Sequence, residues 1–215
     1  MASSEKAPRR SRRTAAEPDP VPAARPLRCD PPDELTGRFP ITDVSPANLG
    51  GRRPATAAVG ERVPVRATAF REGHDSMGLT LVLRDPSGTE VDRSRMRPEG
   101  MGMDRWVGFA RPSAMGDWSF SIEAWGSPWD TWLHRATIKI PVGVDVELEF
   151  TEGALLLDRA AEALAGDLTD ERAALRTAAS TLTSTALPVP VRLAAGTDPS
   201  VTAIMDAHPL REGVT

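Results

Sequence analysis

The stretch GDWSFSIEAWGSPWDTWLHRATIK, Gly116–Lys139, decides how the fold is interpreted. It holds four of the five tryptophans of a chain that has no tyrosine. Phe120, Ile122 and Ala124 alternate with polar residues, which is the period-two pattern of a half-buried β-strand. A Gly-Ser-Pro turn follows, and we predict a second strand over Trp132–Ile140. The stretch therefore predicts the centre of a β-sandwich core.

Short apolar runs of strand length recur on the N-terminal side of this stretch, and clusters of turn residues separate them. Six or seven short strands with regular turn signals are typical of an antiparallel β-sandwich. The predicted strands are Ile41–Leu49, Val63–Phe70, Leu79–Arg84, Glu90–Arg93, Arg105–Arg111 and Trp118–Trp125.

The apolar spacing changes to a helical period from about Val144. A first helix is predicted to bury one face, and Gly153 either lies near its start or interrupts a longer helix that begins near Asp145. Gly166 is expected to end this helix. The residues of the predicted face are Leu155, Leu156, Ala160, Ala163 and Leu164.

A second helix is predicted to start at Thr169, as N-cap, and to end before Pro188. Its apolar residues Leu175, Ala179 and Leu182 complete a helical hairpin. From the apolar segments Leu155–Leu164 and Leu175–Leu182 we expect a dimer, or at least an exposed adhesive face. One more strand over Pro190–Ala195 and a short helix over Val201–Ala207 are predicted to follow.

The composition divides the chain into four parts. Residues 1–36 are rich in Ala, Pro, Arg and acidic residues without periodicity, and we predict a disordered tail because they cannot bury enough apolar area to offset ordering. Residues 37–143 form the predicted β-sandwich, residues 144–187 the helical insert, and residues 188–215 the return to the sandwich. The basic run at residues 9–13 is more simply a solvated tail than an anion contact.

Charge and cysteine content exclude several classes of protein. A net charge of −4 argues against nucleic acid or a membrane surface as the main partner. The single cysteine, Cys29, excludes an internal disulfide framework and is consistent with a reducing compartment. No apolar run reaches membrane-spanning length, so we expect a cytoplasmic protein without a membrane partner.

No metal or cofactor site is predicted, because His74, His134 and His208 are far apart and no glycine-rich phosphate loop occurs. His134 is expected on a strand. Glycoside chemistry needs a pair of carboxylates, yet no pair stands out as catalytic. The candidates are Asp104, Asp117, Glu123, Asp130, Glu147, Glu149 and Glu152.

The tryptophans leave one further functional option. A flat indole face can stack on a sugar ring, and Trp125 and Trp129 are the weak candidates for substrate contact because they flank the turn. The simpler interpretation is that the rings fill the core or a domain interface, since each buries about 150–250 Å². We favour the core.

Three segments carry a resemblance to a known family. FPITDVSPAN, GDWSFSIEAWGSPWDTWLH and VDVELEFTEGALLLDRAAEAL, together with the later HPLREGVT, resemble the N-terminal region of the bacterial α-1,4-glucan:maltose-1-phosphate maltosyltransferases. The likeness covers roughly Gly37–Thr215, and the W-x-F-x-I-E-A-W element is fairly specific.

The resemblance implies an immunoglobulin-like β-sandwich interrupted by a helical insert, and regions that contribute to a homodimer interface. The family's enzyme transfers maltosyl units from α-maltose 1-phosphate onto the non-reducing end of an α-1,4-glucan without a metal or organic cofactor. Its catalytic Asp and Glu lie in a downstream (β/α)₈ barrel, for which this chain has no remaining residues. We therefore expect no catalytic residue here and no activity of this chain alone, with glucan and maltose 1-phosphate bound through the absent domain.

Three hypotheses follow. The first is a non-catalytic scaffold and dimerisation module of a maltosyltransferase. The second is a stand-alone glucan-binding module that uses the tryptophan cluster. The third and weakest is a stand-alone hydrolase that uses Glu123 and a partner.

Overall fold

The computed structural model describes residues 38–48, 51–100 and 103–215. The tail predicted over residues 1–36 lies outside this part of the chain. Seven strands, all paired antiparallel, form two sheets, ordered β1-β2-β6-β5 and β4-β3-β7. They confirm the predicted immunoglobulin-like β-sandwich. The strands are β1 Ile41–Ser45, β2 Val63–Ala69, β3 Met77–Arg84, β4 Glu90–Arg95, β5 Arg97–Pro98, β6 Arg105–Ala110 and β7 Ser119–Gly126.

The sandwich core follows from alternation along the central strands. Leu79, Leu81 and Leu83 of β3 point to the same side and are buried with alternate residues of β2 and β7. The other side of β3 is also buried, since Thr80 and Val82 are at most 5% exposed. A strand buried on both faces needs a second layer beyond the sandwich, and the helices provide it on this side.

Five helices follow the strands in the described residues, whereas three were predicted, the two of the hairpin and a short one over Val201–Ala207. They are α1 Pro128–Lys139, α2 Val146–Ala163, α3 Thr169–Thr183, α4 Val189–Gly196 and α5 Pro199–Ala207. The α2–α3 hairpin and the short helix α5 are confirmed. A second hydrophobic cluster, separate from the sandwich core, is built from these helices.

The strand predicted over Trp132–Ile140 is wrong, because this segment is helix α1. The Ser127 side chain caps the helix by accepting the amide N–H of Asp130 at 3.3 Å, and Pro128 occupies its first turn. Trp129, Trp132 and Ala136 are buried at helical spacing. The aromatic content of the segment favoured a strand, but the Ser-Pro start and the three- and four-residue spacing determine a helix.

The strand predicted over Pro190–Ala195 is also wrong, because this segment lies in α4. Proline in the first turn is compatible with a helix, since the amide N–H that it lacks has no intrahelical partner there. The backbone returns to the sandwich later, where Ala124 and Gly126 of β7 exchange hydrogen bonds with Thr215 and Glu212. The predicted division into domains stays a prediction.

Helix α2 begins at Val146, which bears out the longer of the two predicted helices. Gly166, at φ +76°, follows its end, whereas Leu168, and not Thr169, is the N-cap of α3. The predicted adhesive face is largely wrong. Leu155 is 64% exposed, but the other leucines of α2 and α3 that formed this face pack into the helical core.

Two tryptophans pack where the facing residue is glycine. The Trp132 ring lies against Gly153 of α2 and Gly196 of α4, and a Cβ at Gly153 would overlap the ring. Its Nε1 donates to the Glu149 carbonyl at 2.7 Å. A Cβ at Gly78 of β3 would likewise overlap the ring of Trp125. The position of each indole ring therefore requires a glycine at the facing position of a neighbouring element.

We predict that Gly153→Ala destabilises the protein by about 1–3 kcal/mol, the usual cost of overpacking a core. The sign is diagnostic, because glycine to alanine inside a helix otherwise stabilises by about 1 kcal/mol. The measurement is urea unfolding of the wild type and the variant. Trp132→Phe is the matched partner change, since its smaller ring makes room for the added methyl group. A double variant that is as unstable as the sum of both single changes would contradict this account.

Candidate functional site

The two tryptophans predicted as candidates for sugar contact are buried. Trp125 is 0% and Trp129 is 2% exposed. The Trp125 Nε1 donates to the Thr80 hydroxyl at 2.9 Å, and the Trp129 ring lies 4.8 Å from that of Trp132. Neither ring therefore presents a face on which a sugar could stack, although glucan binding by the chain stays a prediction.

The indoles that retain partial exposure are Trp106 and Trp118. Trp118 belongs to the tryptophan cluster that was a possible sugar platform, whereas sequence reasoning did not single out Trp106. Both pack partly on the sandwich core, and their Nε1 groups donate to backbone carbonyls of Ala69 and Ala114. Trp106 also lines an open cleft of about 670 Å³ with Met77 and Phe70. No sequence feature distinguishes these two rings from the buried ones, because β-alternation alone does not say which layer covers a face.

Arginine or lysine binds five of the seven candidate carboxylates. Glu123 accepts hydrogen bonds from Arg93 at 2.6 Å and from Arg211 at 2.8 Å. Asp130 is bound by Arg95 and by the Ser127 hydroxyl. Both carboxylates therefore contribute to contacts between elements of the fold.

Of the other five acidic candidates, three bind basic side chains and two lie in exposed loops. Glu149 is 1% exposed and accepts from Arg135 at 2.7 Å, with the Lys139 ammonium 3.1 Å away. Glu152 also binds Arg135, and Glu147 binds Arg192 through two hydrogen bonds of 2.8 Å. Asp104 and Asp117 are exposed in loops.

Ion pairs join the sandwich to the helices. Arg95, on the outer side of β4, binds Asp130 of α1 and Asp206 of α5. Its guanidinium also lies 5.3 Å from the centre of the Trp125 ring. A cavity of about 310 Å³ adjoins this contact, between Thr80 and the segment that follows α5. Most charged side chains that line this cavity are bound in ion pairs, as expected where the sandwich packs against the helices.

The histidines are not brought together. His74, His134 and His208 are exposed, and His134 lies on helix α1 rather than on the predicted strand. In residues 38–48, 51–100 and 103–215, no three His, Cys, Asp or Glu side chains form a group that could hold a metal ion. None of the helices in this same part of the chain is both long and apolar enough to cross a bilayer.

Comparison with known proteins decides the family. A family model described as alpha-1,4-glucan:maltose-1-phosphate maltosyltransferase, domain N/S, matches residues 37–215. The chain belongs to this family. The resemblance seen in the sequence is thereby confirmed over nearly the same residues.

Relatives from several actinobacteria carry the same name. Alpha-1,4-glucan:maltose-1-phosphate maltosyltransferase 1 of Streptomyces coelicolor is 45% identical over 181 residues, which is 84% of this chain and 26% of the relative. The protein of Arcanobacterium haemolyticum is 38% identical over 96% of this chain and 28% of its own length. That of Corynebacterium glutamicum is 40% identical over 84% and 27%. The chain thus spans about a quarter of the length of these maltosyltransferases.

We predict an acid-dependent contribution from the pair of Glu147 and Arg192. Hydrogen bonds from Arg192 hold the pKa of Glu147 below its usual value of 4.5. A carboxylate with a depressed pKa stabilises the fold above its unfolded-state pKa, and this contribution is lost as the pH falls through its folded-state pKa. Glu147→Gln should therefore lower the free energy of unfolding at pH 7. It should leave this free energy unchanged at a pH below both the folded-state and the unfolded-state pKa of Glu147.

The measurement is urea unfolding over a pH series. Glu162→Gln is the matched control, because Glu162 is exposed on the same helix and belongs to none of the ion pairs of the described residues. Its pH curve should run parallel to that of the wild type. A Glu147→Gln deficit that persists at the acid end would refute the assignment.

Proposed function

We propose that this chain is the non-catalytic N-terminal scaffold and dimerisation module of a maltosyltransferase. The parent enzyme would transfer maltosyl units from α-maltose 1-phosphate to the non-reducing end of α-1,4-glucans, in α-glucan biosynthesis. The observation that carries the proposal is the match of residues 37–215 to a family model for domain N/S. The relatives of which it covers a quarter are named maltosyltransferases.

The ion pairs between candidate carboxylates and arginines support a non-catalytic role. Catalysis of glycosyl transfer needs one carboxyl group that stays protonated and a second that attacks or assists. Glu123, Asp130 and Glu149 are instead fixed in ion pairs that hold sheets and helices together. Their chemistry is that of a scaffold on which a separate catalytic domain would be carried.

The surface of α2 supports dimerisation. Leu148 is 63% and Leu155 is 64% exposed, and their spacing of seven positions, about two helical turns, places both on one side of the helix. We define Leu148 and Leu155 as the α2 ridge. Large apolar side chains aligned on one helix face commonly mark an interaction site, and a second copy of the chain is the occupant that we propose.

The alternative, a glucan-binding module, has less support from the geometry. The rings proposed for it, Trp125 and Trp129, are covered by other elements. Glucan binding would therefore have to use another surface, such as the partly exposed Trp106.

The proposal predicts a dimer that depends on the α2 ridge. Light scattering at high protein concentration should give twice the monomer mass of 23.1 kDa. The double change Leu148→Ser and Leu155→Ser removes two apolar anchors and should weaken the dimer at least about tenfold per residue. Both residues are exposed, so the thermal unfolding midpoint of the monomer should change little.

Met115→Ser is the matched control, because Met115 is 88% exposed in a loop before β7 and should leave the dimer intact. A wild type that stays monomeric, or a double variant that dimerises as well as the wild type, would refute the dimerisation role of this ridge.

A further inference from the structure

A cleft with a concentration of arginine opens at one edge of the sandwich, between β4 and β6. Its volume is about 420 Å³. Four arginines contribute to its lining: Arg62 before β2, Arg95 on β4, Arg97 on β5 and Arg111 after β6. We call it the arginine cleft. Arg95 makes the ion pairs with Asp130 and Asp206 that join the sandwich to the helices, whereas the other three arginines make no ion pair in the described residues.

Two of these arginines are held in place. The Arg62 guanidinium carbon lies 3.5 Å from the centre of the Phe109 ring, a close cation–π contact. The Arg111 Nε donates to the Gly60 carbonyl at 3.0 Å, and the Gly60 amide N–H donates to Pro112 at 2.7 Å. The segment before β2 is thus fastened to the end of β6. Both guanidinium groups are positioned while several of their N–H donors stay available.

The third arginine is placed by strand pairing, since Arg97 of β5 lies opposite Val107 of β6. Gly108, which follows Val107 in β6, allows Met96 and Leu81 to pack closely against this strand, because a Cβ at Gly108 would lie 3.0 Å from Met96 and 3.2 Å from Leu81. The cleft wall is therefore a rigid part of the sandwich. A rigid wall lowers the entropy that ordering of donors would cost when a ligand binds.

The charge of the cleft is not neutralised within the described residues. Five of the twelve arginines at positions 38–111 form ion pairs with carboxylates, as Arg66 does with Glu99 and Arg93 with Glu90. None of these ion pairs involves Arg62, Arg97 or Arg111, and one carboxylate, Asp92, lines the cleft. Since the whole chain carries a net charge of −4, this local excess of positive charge is not a property of the surface at large.

We propose that the arginine cleft binds a phosphate group, as inorganic phosphate or on a small phosphate ester. Guanidinium groups offer paired N–H donors that match phosphate oxygens, and three cations against one carboxylate suit a dianion. The cleft has room for a phosphate and part of an attached sugar. This site goes beyond the proposed scaffold role and does not rest on it.

The test is a titration of the ¹⁵N-labelled chain, followed by NMR at constant ionic strength. The probes are inorganic phosphate, glucose 1-phosphate and, as the uncharged arm, glucose. We expect saturable shifts of the amides near Gly60 and Val107 with both phosphate probes and none with glucose. Tighter binding of glucose 1-phosphate than of inorganic phosphate identifies the ester as the ligand, and equal binding identifies the phosphate group alone.

Substitutions test one of the arginines and the carboxylate. Arg97→Gln should weaken phosphate binding about tenfold, which is about 1.4 kcal/mol, because it removes a charge-assisted hydrogen bond. Asp92→Asn should strengthen binding, since it removes the repelling charge. Arg176→Gln is the matched control, because Arg176 is exposed on α3 and does not line the arginine cleft.

The thermal unfolding midpoint of each variant shows whether it is folded. Shifts that never saturate, shifts spread over the whole surface, or equal weakening by Arg176→Gln would overturn the proposal. So would Asp92→Asn binding phosphate more weakly than the wild type.

Discussion

The packing of two indole rings against glycine is the constraint on which the helical layer and its contact with the sheet depend. Trp132 fills the space between α1, α2 and α4 because Gly153 and Gly196 lack side chains. Trp125 packs on β3 because Gly78 also lacks a side chain. The same ring contacts Arg95, which binds the helices. Rings of this size dominate the burial of a core, so their positions fix how the neighbouring elements approach.

Polar contacts then orient the layers that the rings bring together. Arg95 binds one aspartate on α1 and another on α5, while Arg211 and Arg93 share Glu123. The backbone after α5 pairs with β7 through Glu212 and Thr215. Two of the candidate carboxylates, Glu123 and Asp130, are engaged in these contacts.

Much of the sandwich was predictable because alternation of apolar residues reports a half-buried strand directly. The α2–α3 hairpin was predictable from its helical period. Aromatic and β-branched content predicts strands over Trp132–Ile140 and Pro190–Ala195, but the Ser127 cap and the proline positions determine helices there. The sequence favours burial of the tryptophans, yet only the structure shows which glycines face Trp125 and Trp132. The arginine cleft escaped prediction because its three arginines without an ion pair are 14 to 49 positions apart in the chain.

The most direct measurement of the central claim is hydrogen exchange of the five indole N–H groups by ¹⁵N NMR, with and without maltoheptaose. The account predicts slow exchange for Trp125 and Trp132, whose Nε1 groups donate to Thr80 and Glu149 inside the protein, and no change on adding the sugar. The partly exposed Trp118, bound to a loop carbonyl, should exchange faster. Rapid exchange at Trp125 or Trp132, or a sugar-induced shift of the Trp125 or Trp129 signal, would contradict a structural role for the tryptophan-rich stretch.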